Sequence, residues 1–145
     1  MKFIEPLLPI ILIVICPLFG FTQTVKTIDS LEDANQHCLD EGKYMLGCEK
    51  TFYIQMDSLL NIVYMKLYNN LSITQKATLK KEQKLWLVTR DTYFKKTLKT
   101  FTDNNPGKLP YGGALGAQDD AMFMYHENSA FVEKRVIELM KKLGQ

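Results

Sequence analysis

Two helical periodicities meet at Ser72-Ile73-Thr74-Gln75, and together they leave this chain little choice of fold. From about Thr51 to Leu71, apolar residues recur three or four positions apart: Phe52, Met56, Leu59, Leu60, Val63, Tyr64, Leu67 and Leu71. That spacing puts them on one stripe of an amphipathic helix. Ser72 followed by Gln75 is a capping box, in which the Ser side chain and the Gln side chain satisfy each other's orphan backbone donors. A second long helix therefore starts there and runs to about Phe101, with Leu79, Trp86, Val88, Tyr93, Phe94 and Leu98 as its apolar candidates. Long helices joined by so short a turn predict an antiparallel hairpin.

The rest of the chain fits around that hairpin. Asn104-Asn105-Pro106-Gly107, Pro110, Gly112-Gly113 and Gly116 make 102–118 a loop. A last helix is expected over roughly 119–143, with Phe131, Val132, Val136, Leu139, Met140 and Leu143 on one face. Upstream, Asp29 or Ser30 is placed to cap a short helix through Cys38, and Gly42 and Gly47 punctuate the stretch after it. No repeat is visible and no segment alternates as a strand would. The expected class is all-α: a small helical bundle built on a long antiparallel hairpin, with a Gly/Pro loop before the last helix. With 145 residues the chain makes one domain, and a net charge of +2 gives no nucleic-acid-binding signature.

Residues 1–22 are read separately. Lys2 precedes an apolar run from Leu7 to Phe21, and Gly20 and Thr22 are small residues at −3 and −1 of a cut after Thr22. This is the pattern of a secretory signal peptide, leaving 23–145 as the single mature domain. The run is short of the ~20 residues a spanning helix needs and holds Pro9 and Pro17, so no stable membrane span is expected after cleavage. Lipoprotein anchoring through Cys16 is disfavoured by Pro17 after it and Val14-Ile15 before it. The expected destination is the periplasm or the extracellular space. Cleavage leaves Cys38 and Cys48, and a cysteine pair in an oxidising compartment reads as a disulfide. Two thiols with only His37 beside them make a poor metal site.

Polar residues follow the helical spacing too. Asp57, Asn61 and Tyr64 share one face of the first long helix; Gln83, Trp86 and Arg90 share one face of the second. The pairs Asp57/Arg90, Asn61/Trp86 and Tyr64/Gln83 are all centred on one point, between Ile73 and Thr74. In an antiparallel hairpin each pair would meet across the helices. Such a set either fixes the hairpin's register or lines a cleft. A carboxylate pinned by Arg is a poor general base, which favours the structural role. Charge is segregated as well: 24–60 carry three lysines against seven carboxylates, whereas 61–101 carry nine basic residues against two acidic ones.

Cys38, Cys48, the run Asp57-Ser58-Leu59-Leu60-Asn61-Ile62-Val63-Tyr64, Leu71, and Gln83-Lys84-Leu85-Trp86-Leu87-Val88-Thr89-Arg90-Asp91 resemble the lysozyme inhibitor LprI N-terminal domain family of exported bacterial proteins. The family's pattern is a cysteine pair, then D-x-x-L-N-x-x-Y, then Q-x-x-W-x-x-[FYT]-R-D. The resemblance covers about 35–95, and Arg135-Val136-Ile137-Glu138-Leu139 is similar to the family's closing helix. It implies that Asp57, Leu60, Asn61, Tyr64, Gln83, Trp86, Arg90 and Asp91 are motif positions with a mainly structural role. Many members carry two further cysteines, one soon after the Arg-Asp pair and one before the last helix. This chain has Tyr93 and Phe94 in the first region and no cysteine near His126 to Ser129 in the second. Their joint absence implies that Cys38–Cys48 is a local bridge, and it puts the tethering of the last helix in question.

The resemblance further implies a non-enzymatic module that binds another protein, with lysozyme or another envelope protein as partner. A cationic lysozyme would be met by the acidic 24–60 segment, and Tyr111, Gly112 and Gly113 form the candidate binding loop. The alternative is a structural envelope module whose Lys-rich second helix contacts anionic polymer or lipid. Gly112-Gly113-x-x-Gly116 lacks the Lys-Ser/Thr of a phosphate loop, and Asp119-Asp120 reads as helix N-terminal charge. No catalytic residue, metal ligand or cofactor is expected.

Overall fold

The computed structural model describes residues 22–111 and 115–144. The expected signal peptide, with Cys16, falls outside them up to residue 21, as do Gly112 and Gly113 of the candidate loop. Four helices account for nearly all of the described chain: α1 (Thr22–Asp40), α2 (Met45–Asn69), α3 (Ile73–Asn104) and α4 (Gln118–Lys142), with a single 3-10 turn at Leu115–Ala117. Among the described residues there is no strand, as the absence of alternation predicts.

The helix boundaries follow from local chemistry. Ser72 Oγ accepts from the Gln75 amide while Gln75 Oε1 accepts from the Ser72 amide, so α3 begins where the capping box predicts. Gly107, at φ +74, closes the turn after α3, where the Lys108 amide donates to the Asn105 carbonyl. Upstream the expectation is corrected. Asp29 and Ser30 lie inside α1 and cap nothing, because the helix already starts at Thr22. Gly47 sits within α2, which begins at Met45. The start of α2 is set by the Cys38–Cys48 disulfide, whose Cα atoms are 5.9 Å apart, and by Tyr44, which takes a left-handed conformation at φ 53.

The packing departs from a simple hairpin. The closest pairing is α2 against α4, with α1 packed on α2 and α3 on α4. Met56 and Val63 from α2 and Val132, Val136 and Leu139 from α4 are completely buried in that seam, joined by Ile28 of α1 and Leu79 of α3. A smaller cluster of Phe101, Ala117, Ala121 and Met124 closes the disulfide end. Along its 32 residues α3 buries only Leu79, Thr97 and Phe101. Val88 and Leu98, expected on its apolar face, are exposed, at 67% and 43%. The middle of α3 instead rests on an aromatic layer: Phe131 of α4 stacks on Tyr93 at 4.6 Å and on Trp86 at 5.8 Å, with Phe94 edge-on at 6.3 Å. This layer lies between α3 and α4, and on its other side Phe94 meets Tyr53 of α2 edge-on at 5.8 Å.

Candidate functional site

The motif residues line a groove between α2 and α3. Asp57, Leu60, Asn61, Tyr64, Gln83 and Arg90 share its walls with Lys80, Lys84 and Leu87, around a volume of about 540 Å³. The predicted cross-helix pairs are largely not made, since the backbones of α2 and α3 are too far apart. Arg90 approaches Asp57 to 3.9 Å but donates two hydrogen bonds, at 3.0 and 2.8 Å, to Asp91 beside it on α3. Asn61 turns back and donates to the Asp57 carbonyl at 3.1 Å. Tyr64 stacks on Tyr68, one turn along its own helix, at 6.1 Å. Trp86 packs between Phe131 and the guanidinium groups of Arg90 and Arg135, 5.7 and 5.9 Å from its ring. Leu60 is a core residue at 3% exposure.

Gln83 finds its partner on α4. Its Oε1 accepts from Arg135 Nε at 3.1 Å and from a terminal guanidinium nitrogen at 3.0 Å. Arg135 also donates to Glu138 at 3.0 Å and is itself only 6% exposed. A buried guanidinium keeps its place when its nitrogens find acceptors, and each of the three here donates one bond. Arg135 is thus the polar centre that residue spacing missed. Its signal in the sequence is an arginine within the apolar stripe Val132-Val136-Leu139, with Glu138 three residues on.

A second site lies at the disulfide end, where α1 finishes, α2 begins, α3 ends and α4 starts. Glu49 of α2 is 4% exposed. Its Oε1 accepts from Asn35 Nδ2 at 3.3 Å, while its Oε2 accepts no hydrogen bond and faces His126 Nδ1 of α4 at 3.5 Å. Glu49 and His126 line a pocket of about 340 Å³ with Asp119, Met122 and Phe123. Large apolar side chains are exposed around this end: Tyr44 at 91%, Phe123 at 69% and Tyr111 at 66%. Tyr111 stands near Tyr125, whose phenol is raised above its ordinary pKa first by burial and then by Tyr111. Asp119 and Asp120 open α4 as helix N-terminal charge, and Asp120 accepts from Asn105 Nδ2 at 2.7 Å.

The model of the family described as Lysozyme inhibitor LprI matches residues 35–135. The chain belongs to the LprI family. No curated protein and no solved structure matches it. The LprI match spans both cysteines, the two motif helices, the loop and the part of α4 that carries His126. As an LprI-family chain it holds its last helix without the further disulfide found in many members. Tyr93 and Phe94 both pack on Phe131, and Thr97 Oγ1 donates to the buried Asn128 Oδ1 at 2.9 Å. The Cys38–Cys48 bridge is local, ten residues apart, as the resemblance implies. No described helix is long and apolar enough to cross a membrane.

Proposed function

We propose that this protein is an exported, non-enzymatic binding module that inhibits lysozyme by docking on it through its disulfide end. The observation that carries this reading is the make-up of that end. Tyr44, Phe123 and Tyr111 stand exposed there with the carboxylates of Asp40, Glu41 and Asp119. Lys43, Lys50 and Lys108 are exposed at the same end, so its charge is mixed, and exposed aromatics in such a polar setting are the composition of a protein-recognition surface. Tyr44 is held in a left-handed conformation, which is costly for a side chain this bulky, at the mouth of the disulfide loop. In this reading Tyr111, with Gly112 and Gly113, enters the glycan cleft, and the α2/α3 motif residues keep the scaffold in register. A hydrolase is disfavoured, since the groove's Asp57 lies against Arg90, and a carboxylate beside a guanidinium is a poor general base.

A second reading has its own observation. Lys81, Lys84, Lys95 and Lys96 are exposed along α3, and none forms an ion pair with a described residue. Such a row suits an anionic envelope polymer or lipid. Salt separates the two, because polyanion binding falls steeply with ionic strength and a packed interface does not. The test is a titration of the mature chain, disulfide intact, into lysozymes of several classes while following cell-wall lysis. Saturable inhibition near stoichiometric concentration, weakened by Tyr44→Ala and Tyr111→Ala, is expected. Inhibition of no class would overturn the reading.

A further inference from the structure

The Glu49 site has a deficit of hydrogen-bond donors. Two buried side-chain oxygens, Glu49 Oε2 and Asn35 Oδ1, have no hydrogen-bond partner. They belong to residues joined by the bond from Asn35 Nδ2 to Glu49 Oε1, but only Glu49 lines the pocket with His126, whereas Asn35 lines a separate cavity with Cys38 and Tyr44. Buried acceptors of this kind are rare in native proteins, and a carboxylate oxygen is the most expensive of them to leave unmade. His126 does not make up the deficit. Its Nδ1 is 3.5 Å away, beyond a good charge-assisted bond, and its side chain is 64% exposed. Of the other lining residues, Met122 and Phe123 are apolar and Asp119 is acidic. At about 340 Å³ the pocket lies at the small end of the ~300–1,000 Å³ range of ligand sites.

We infer that this pocket receives one cationic side chain, a lysine or arginine of the partner protein, with Glu49 as its counter-ion. Those side chains match the site's asymmetry: an aliphatic stem that lies along Met122 and Phe123, and a donor-only head for an acceptor-only base. Phe123, on the pocket wall and well exposed, presents a ring to the cation as well. Asp119, also lining the pocket, adds a second negative charge at its rim. The site lies at the same end as Tyr44 and Tyr111, so it deepens the lysozyme-docking reading and rests on it for the identity of the partner.

The test separates the two. The full mature chain is titrated with n-butylammonium and n-butylguanidinium, with 1-butanol as the uncharged control, following the Glu49 carboxyl, His126 and Phe123 resonances by NMR. Saturable shifts with both cations and none with butanol are expected, and Glu49→Gln should weaken cation binding roughly tenfold. Should Glu49→Gln unfold, Phe123→Ala, altering an exposed side chain, should still lower cation affinity several-fold. Equal shifts with butanol, or cation binding unchanged in both variants, overturn the inference. Lysozyme complexes are then compared. Wild type and Glu49→Gln binding lysozyme equally would sink the pocket's role and leave docking intact. Cation binding without any lysozyme complex would sustain the pocket and remove the lysozyme reading.

Discussion

α2 shows two different faces to its neighbours. Toward α4 it offers Met56 and Val63, fully buried against Val132, Val136 and Leu139. Toward α3 it offers Asp57, Asn61 and Tyr64 across an open groove. The closer neighbour in sequence, joined by three residues, is the looser one in space; the helix that comes after a long loop is the tighter. Turn length fixes which helices are consecutive and roughly antiparallel. Which of them share a seam is decided by apolar area, since burial scales with the surface removed from water. α4 brings a continuous aliphatic stripe to α2, whereas α3 brings rings and charges.

The difference is measurable with one chemistry on both sides. Leu139→Ala removes a side chain at 0% exposure from the α2/α4 seam and should cost about 2–5 kcal/mol in denaturant unfolding. Leu87→Ala, on the half-buried groove wall, should cost under ~1 kcal/mol. Equal losses would mean that the groove is closed in solution. Double-mutant cycles repeat the comparison for polar pairs. Arg135 and Gln83 should couple by about 1.5–3 kcal/mol, the range for hydrogen bonds to a charged, buried group. Asp57 and Arg90 should couple by less than ~1 kcal/mol, because they sit 3.9 Å apart and partly in water. A larger coupling for Asp57 and Arg90 would restore the cross-helix pairing that their spacing suggests.

Much of the architecture was legible in the residues, for reasons that apply locally. The capping box at Ser72 and Gln75 depends on atoms three residues apart, so it can be read directly. The apolar stripe of α2 and the Cys38–Cys48 bridge are likewise nearly local facts. Legibility ended where a third element intervened. The symmetric placing identified Asp57, Asn61, Tyr64, Gln83 and Arg90 as sharing the groove, but not that Trp86 would leave it to stack on Phe131 of α4. Gln83 bonds across 52 residues to Arg135, and no spacing rule within a hairpin reaches that far. The Glu49 pocket escaped for the same reason. A glutamate next to a cysteine looks like surface charge until α4 covers it.

The side of α4 that faces α1 should show a pH dependence. Glu133 of α4 has its carboxyl raised above the ordinary range, first by burial and then by Glu32 of α1, with His126 and Lys134 pulling the other way. A carboxyl whose pKa is higher in the folded state holds its proton more tightly there, so ionising it costs the fold stability. That cost is absent below the unfolded-state value of about 4.3, grows as the pH rises through the folded value, and is complete above it. Glu133→Gln should therefore stabilise the protein at pH 7 and lose that advantage near pH 4. The side chain is only partly buried, so solvent screening keeps the gain under ~1 kcal/mol. Thermal melts of both proteins from pH 4 to 7 read this difference directly. A Glu133→Gln gain that stays constant across that range would assign the effect to packing; a loss at pH 7 would show that Lys134 and His126 outweigh burial, and that α4 is as well hydrated against α1 as α3 is along its groove.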